Sequence, residues 1–187
     1  MKYPTLADIE EMKARGYDRN TISKAEEEYR RGLDALGICS EIRSAFKGVK
    51  LGNGVGLWEG QGLDDYEDPA TCARYREKDE KENWEKITSE DLNSCYSSLS
   101  FFDAEGMRFN LPAYLVSALK GEYRIGMEFS LTHLSDHCKD QFSLLNREQR
   151  AAVRRYLLHL EKDPDSSYHL ADIRAALETY WTQDSPD

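Results

Sequence analysis

The stretch from Asn146 to Leu160 admits one local structure. Asn146 followed three residues on by Gln149 is the pairing in which two side chains satisfy each other's backbone N–H groups at a helix start. Val153, Tyr156, Leu157 and Leu160 then recur at helical spacing until Asp163-Pro164 stops the run. A stripe of this kind is stable only when buried against other elements, so the chain is expected to build a packed, largely helical core. Similar signals predict a helix from Ser89 to about Tyr96 behind Thr88 and Asp91. A last helix is predicted from about Leu170 to Trp181, with Leu170, Ile173, Leu177, Tyr180 and Trp181 on one side. Residues 183–187 are polar and expected to fray.

Residues 1–36 read as a helical N-terminal arm carrying Leu6, Ile9 and Met12 at helical spacing and broken at Gly16. A second helix capped by Thr21 or Ser23 places Tyr29, Leu33 and Leu36 on one face, and a third after Gly37 carries Ile38, Ile42, Ala45 and Phe46. Residues 37–182 read as a single α+β domain, mostly helical, with a small antiparallel sheet from two short hairpins. The first hairpin turns at Asn53-Gly54 between Val49/Leu51 and Val55/Leu57. The second is formed by aromatic-rich strands around Asp103-Ala104-Glu105-Gly106, after which Pro112 opens a helix. Between them, the charged segment containing Pro69 has no sustained period and is predicted to be a long loop with no more than one helical turn.

Charge narrows the function classes. The net charge is −10, and residues 59–91 hold twelve acids against five bases, −7 of that total. Such a surface repels nucleic acid phosphates and anionic lipids and speeds encounter with a basic partner. No apolar run approaches the roughly 20 residues that span a bilayer, and the opening MKYPTLADIEE lacks the apolar stretch of a signal peptide. A cytoplasmic protein is expected. Cys39, Cys72, Cys95 and Cys138 form no C-x-x-C pair and are expected to be reduced thiols, at least two of them in the core.

Motifs for chemistry are weak. The glycine-rich GNGVG lacks the Lys-Ser/Thr ending of a phosphate loop and the spacing of a dinucleotide site, so it reads as a turn. His133 and His137 stand four apart, but Leu134 occupies the place of a zincin's general base. The carboxylates Asp64, Asp65, Asp103 and Glu105 are suited to hard cations or acid–base work, although adjacent acids in a polar segment more often cap or face solvent. Arg147, Arg150, Arg154 and Arg155 are expected to pair with neighbouring acids and cover apolar surface with their stems. No catalytic residue, metal ligand or cofactor is assigned.

Three segments, EIRSAFKGVKLGNGVGLWEGQGLDD, WEKITSEDL and SFFDAEGMRFNLPAYLVSAL, resemble an uncharacterised family of small bacterial cytosolic proteins, over about Ile38 to Lys162. The resemblance implies a bacterial, cytosolic origin and carries no site. The expectation is a protein-binding module that neutralises or regulates a partner with a basic surface, as a toxin-immunity protein does. Asp64, Asp65, Tyr66, Glu67, Asp68 and Trp84 are its contact residues, with Trp84 also open to a core role. The alternative is a small enzyme or divalent-metal protein using the carboxylates or the histidine pair.

Overall fold

The structure, a computed structural model, describes residues 3–182. The predicted fraying of residues 183–187 lies outside the described residues. Ten α-helices lie among those described: α1 (Leu6–Ala14), α2 (Arg19–Ala45), α3 (Leu57–Asp64), α4 (Pro69–Lys78), α5 (Ser89–Ser94), α6 (Ala104–Leu119), α7 (Glu128–Thr132), α8 (Asp136–Gln141), α9 (Arg147–Leu160) and α10 (Leu170–Thr179). Short 3-10 turns occur at Trp84–Lys86, Ser98–Ser100 and Pro164–His169.

The helices sit around α6. This segment has buried residues on every face, including Met107, Phe109, Leu111, Tyr114, Leu115 and Leu119, so it is stable only when surrounded. α2 and α5 pack on it, as do α8 and the turn at Trp84–Lys86, while α9 packs on α2 and α10 on α9. Ile38, Ile42 and Phe46 of the α2 seam meet Val153, Tyr156 and Leu157 of α9 in one apolar cluster. α2 runs unbroken across residue 36. Its stripe of Tyr29, Leu33 and Leu36 is not buried; with Tyr3, Pro4 and Leu119 it lines an open apolar groove.

The expected α+β class is corrected: among the described residues there is no strand, and the fold is all-helical. At the first expected hairpin the chain does turn, with the Gly54 N–H donating to the Leu51 carbonyl at 3.0 Å. No second strand returns from that turn. The Asn53 N–H donates to Glu105 Oε2 at 3.1 Å and the Val55 N–H to Asp103 Oδ1 at 2.9 Å, so the loop is laid across the start of α6. At the second expected hairpin Asp103 is a helix N-cap whose carboxylate also accepts from the Gly106 N–H. α6 then continues through Pro112 instead of beginning there. An interior proline costs about 3 kcal/mol, which burial of several large apolar side chains at roughly 1.5–3 kcal/mol each offsets.

The predicted long loop is corrected as well, because α4 occupies it. Asp68 caps that helix and Pro69 sits in its first turn, where the missing proline N–H leaves nothing unpaired. The Asn146/Gln149 capping box starts α9, Thr88 caps α5, and α10 begins at Leu170, as the sequence signals indicate. Cys39, Cys72 and Cys95 are buried and Cys138 is partly exposed; burial pushes the Cys95 thiol up to about 12.

Where the loop crosses α6, Gly54 and Gly106 allow two backbones to touch. A Cβ at Gly54 would lie 2.4 Å from the Gly106 nitrogen, and one at Gly106 would lie 2.3 Å from the Val55 oxygen. Gly106→Ala is therefore expected to destabilise the fold by about 2 kcal/mol or more in denaturant unfolding. Gly37, on the exposed side of α2 with open space around its Cβ position, is the internal contrast: Gly37→Ala should stabilise by about 0.5–1 kcal/mol.

Candidate functional site

The acidic segment folds into a helical hairpin. α3 and α4 pack against each other, and the base of the pair is closed by Asp79, which follows α4. Gly56 caps α3 but has no side chain, so the Asp79 carboxylate accepts from the Trp58 N–H at 2.7 Å and the Glu59 N–H at 3.3 Å. Burial pushes the Asp79 carboxyl above its usual range, against the pull of those two N–H groups.

The opposite end of the hairpin is its tip, built from Asp64 to Asp68. Asp65 is the C-cap of α3; the Tyr66 N–H donates to the Leu63 carbonyl at 3.3 Å and the Glu67 N–H to the Gly62 carbonyl at 3.0 Å. This pair of reversed bonds is the Schellman ending, whose pivot residue adopts positive φ and is usually glycine. Here the pivot is Tyr66, at φ 57, the one non-glycine residue with positive φ among those described. Its side chain is 96% exposed. Asp65, Glu67 and Asp68 are also exposed and Asp64 is half-buried. Asp64 and Asp65 stand at a helix C-terminus, where the dipole disfavours negative charge, whereas Asp68 stands at the favourable start of α4. Hydrogen bonds from the Thr71 hydroxyl and N–H, and from the Ala70 N–H, hold the Asp68 carboxyl below its usual range.

Trp84 is not part of this tip. It is 4% exposed and its indole N–H donates to the Phe46 carbonyl at 3.0 Å, so it anchors the core. The other residues considered for chemistry are dispersed. Asp103 and Glu105 hold backbone N–H groups of the Asn53–Val55 loop. His133 follows α7 and stacks on Phe129 with ring centroids 5.0 Å apart, while His137 lies in α8 with Nε2 3.2 Å from the Ser100 carbonyl. Among the described residues no group of three or more His, Cys, Asp or Glu is placed to hold a metal ion. Of the arginines, Arg155 pairs with Asp34, whereas Arg150 and Arg154 donate to carbonyls at the end of α10.

A second polar constellation lies in the α2–α9 seam. His159 is 2% exposed; its Nδ1 is 2.9 Å from Asp34 Oδ2 and its Nε2 is 3.0 Å from the Tyr3 hydroxyl. Arg155 pairs with the other Asp34 oxygen, and one turn along α2 Arg31 meets the buried Asp163 at 2.5 Å. An acid, an imidazole and a phenol in line is an arrangement able to move a proton. It also satisfies a buried histidine in full, which every buried polar group requires. Partial burial raises the Asp34 carboxyl, but the hydrogen bonds from His159 and Arg155 and the charge of Arg155 outweigh it and hold the group below its usual range. Sequence reasoning missed this seam. The available signal was His159 falling beside Tyr156 and Leu160 on the buried side of the best-defined helix.

A family model described as a family of unknown function, DUF6714, matches residues 34–185. No curated protein and no solved structure matches the chain.

Because the Asp34 carboxyl is lowered on folding, the stability it contributes is complete above the ordinary value of 3.8 and is lost as pH falls through the lowered folded value. Asp34→Asn should melt below the parent protein at pH 7. The gap should close as the pH drops below about 3.8 in a series of melting curves; a constant gap would mean that the charge of Asp34 contributes nothing.

Proposed function

We propose that this chain, which belongs to the DUF6714 family, is a protein-binding module whose contact surface is the tip of the α3–α4 hairpin. The observation that carries this reading is Tyr66. An aromatic side chain at a Schellman pivot costs about 1–2 kcal/mol relative to a residue that tolerates positive φ, and nothing in the fold packs against it in return. Local rules broken without a folding benefit are characteristic of binding positions. An exposed tyrosine on a hydrogen-bonded turn, with Asp64, Asp65, Glu67 and Asp68 as its chain neighbours, has the composition of an interface anchor with a charged rim.

Charge complementarity then selects the partner. The acids of residues 59–91 favour a basic protein surface and accelerate its approach, in a way that salt weakens. A toxin or other basic effector neutralised by this chain is the finer form of the proposal. Among the described residues no helix is long and apolar enough to cross a bilayer. The metal-dependent alternative has less support, because Asp103 and Glu105 are engaged by backbone N–H groups and the two histidines belong to different contacts.

The test separates binding from folding. Tyr66→Gly should raise stability, by up to about 1 kcal/mol, through relief of the pivot. The same change should weaken capture of the partner from native lysate by about 2 kcal/mol, roughly 30-fold. The triple change Asp64→Asn, Asp65→Asn, Glu67→Gln, which spares the Asp68 cap, should slow association and flatten its salt dependence. A partner held equally by all three proteins at every salt concentration would refute the tip as the contact surface.

A further inference from the structure

Beyond α6, a cavity of about 410 Å3 opens between the 118–128 segment, α9 and the turn preceding α10, a volume typical of small-molecule sites. The phenol rings of Tyr3, Tyr123 and Tyr156, the imidazoles of His159 and His169, and the carboxylate of Glu128 line it. Arg124 and Asp165 also line it; both are exposed, and their charges offset each other.

Two of these groups are incompletely satisfied by the protein. Tyr123 is 6% exposed, its ring edge-on to Tyr114 at 5.0 Å, and its hydroxyl has no hydrogen-bond partner among the described residues. A buried hydroxyl left in that state is destabilising until a water or ligand supplies the missing bond. Glu128 is half-buried, and its Oε1 accepts from the Ser166 hydroxyl at a long 3.4 Å. Burial pushes the Tyr156 phenol well above its usual value, and the nearby charge of Glu128 adds to that effect, so the carboxylate is felt inside the cavity. Both nitrogens of His159 are engaged, by Asp34 and Tyr3, which leaves the ring itself as wall.

The half-buried and buried lining is therefore rich in π faces and oxygen acceptors, with one carboxylate as its strongest charge. Aromatic rings joined by a carboxylate recognise organic cations, since the ring face and the acid attract the same sign of charge. We propose that this cavity binds a compact organic ammonium ion, its nitrogen held by the Glu128 carboxylate and the Tyr123 hydroxyl oxygen and its alkyl part lying against Tyr3 and Tyr156. The site is distinct from the hairpin tip and does not depend on it. Because Tyr3 forms part of the wall and reaches α9 through His159, an occupied site also fastens the segment before α1 to the bundle.

The test uses the full chain with n-butylammonium chloride and, as its uncharged counterpart, n-butanol. Amide NMR titration at about 0.15 M salt localises the ligand while screening diffuse attraction to the acidic surface. The expected result is saturable one-to-one binding of butylammonium, with shifts confined to Tyr3 and its neighbours before α1, residues 118–128 and residues 156–169, and no saturation by butanol. Glu128→Gln should weaken the amine by about tenfold or more, and Tyr123→Phe by a smaller factor. The proposal is overturned by shifts that appear only at the α3–α4 tip, by butanol saturating as tightly, or by no saturation up to about 50 mM. A Glu128→Gln protein that melts as the parent does and binds the amine equally would also overturn it. Should that variant fail to fold, Tyr123→Phe and the charged–uncharged ligand pair decide the question.

Discussion

A helix with no solvent face must be enclosed before it is stable, and α6 imposes that condition on the whole chain. From Phe109 to Ser117 every residue is buried, which no isolated helix survives in water. The long α2 covers one side, and the short pieces each cover one patch: α5 and α8 have six residues each, too few to persist without the contacts that hold them. The same demand brings the Leu51–Gly56 loop onto the start of α6, with Asp103 and Glu105 receiving its N–H groups. Two glycines at that crossing and two acids beneath it do the work that a strand ladder does in a sheet.

The α2–α9 seam solves a different problem. Apolar packing alone leaves helices free to slide, whereas hydrogen-bonded polar groups are satisfied in one register only. Tyr3, His159, Asp34 and Arg155 form one such set, and Arg31 with Asp163 forms another. Removing a single member leaves a partner unpaired, at greatest cost where that partner is the buried His159 or Asp163.

Sequence and structure agree where a cap pairing is written in the chain, as at Thr88 for α5 and Asn146 for α9, and where an apolar stripe alone runs on, as in α10 from Leu170. Composition misled where it spoke for the wrong element. Phe109 resembles a strand residue because both a buried strand and a fully buried helix are continuously apolar, and Phe101 and Phe102, just ahead of the Asp103 cap, lengthen the aromatic run. Asp103 three residues before Gly106 was the deciding cap, and a glycine at that third position disguised it. Asp68-Pro69 was likewise a helix start taken for a break. The acidic tip was legible by charge, but Trp84 could not be separated from it by sequence, since a tryptophan beside charges is equally at home in a core. The resemblance over about residues 38–162 found the family, whose match runs on to residue 185 and so takes in α10. Tyr3, Asp34 and His159 were not legible, because nothing local joins residues more than a hundred positions apart.

The four thiols are spread over α2, α4, the end of α5 and α8, one to each district of the molecule. Three are shielded by burial and held as thiols, and only the thiolate attacks. Alkylation at Cys39, Cys72 or Cys95 thus waits for the district to open, and its rate at each position is a clock for that opening alone. The chain carries its own set of probes for whether it comes apart all at once or in pieces.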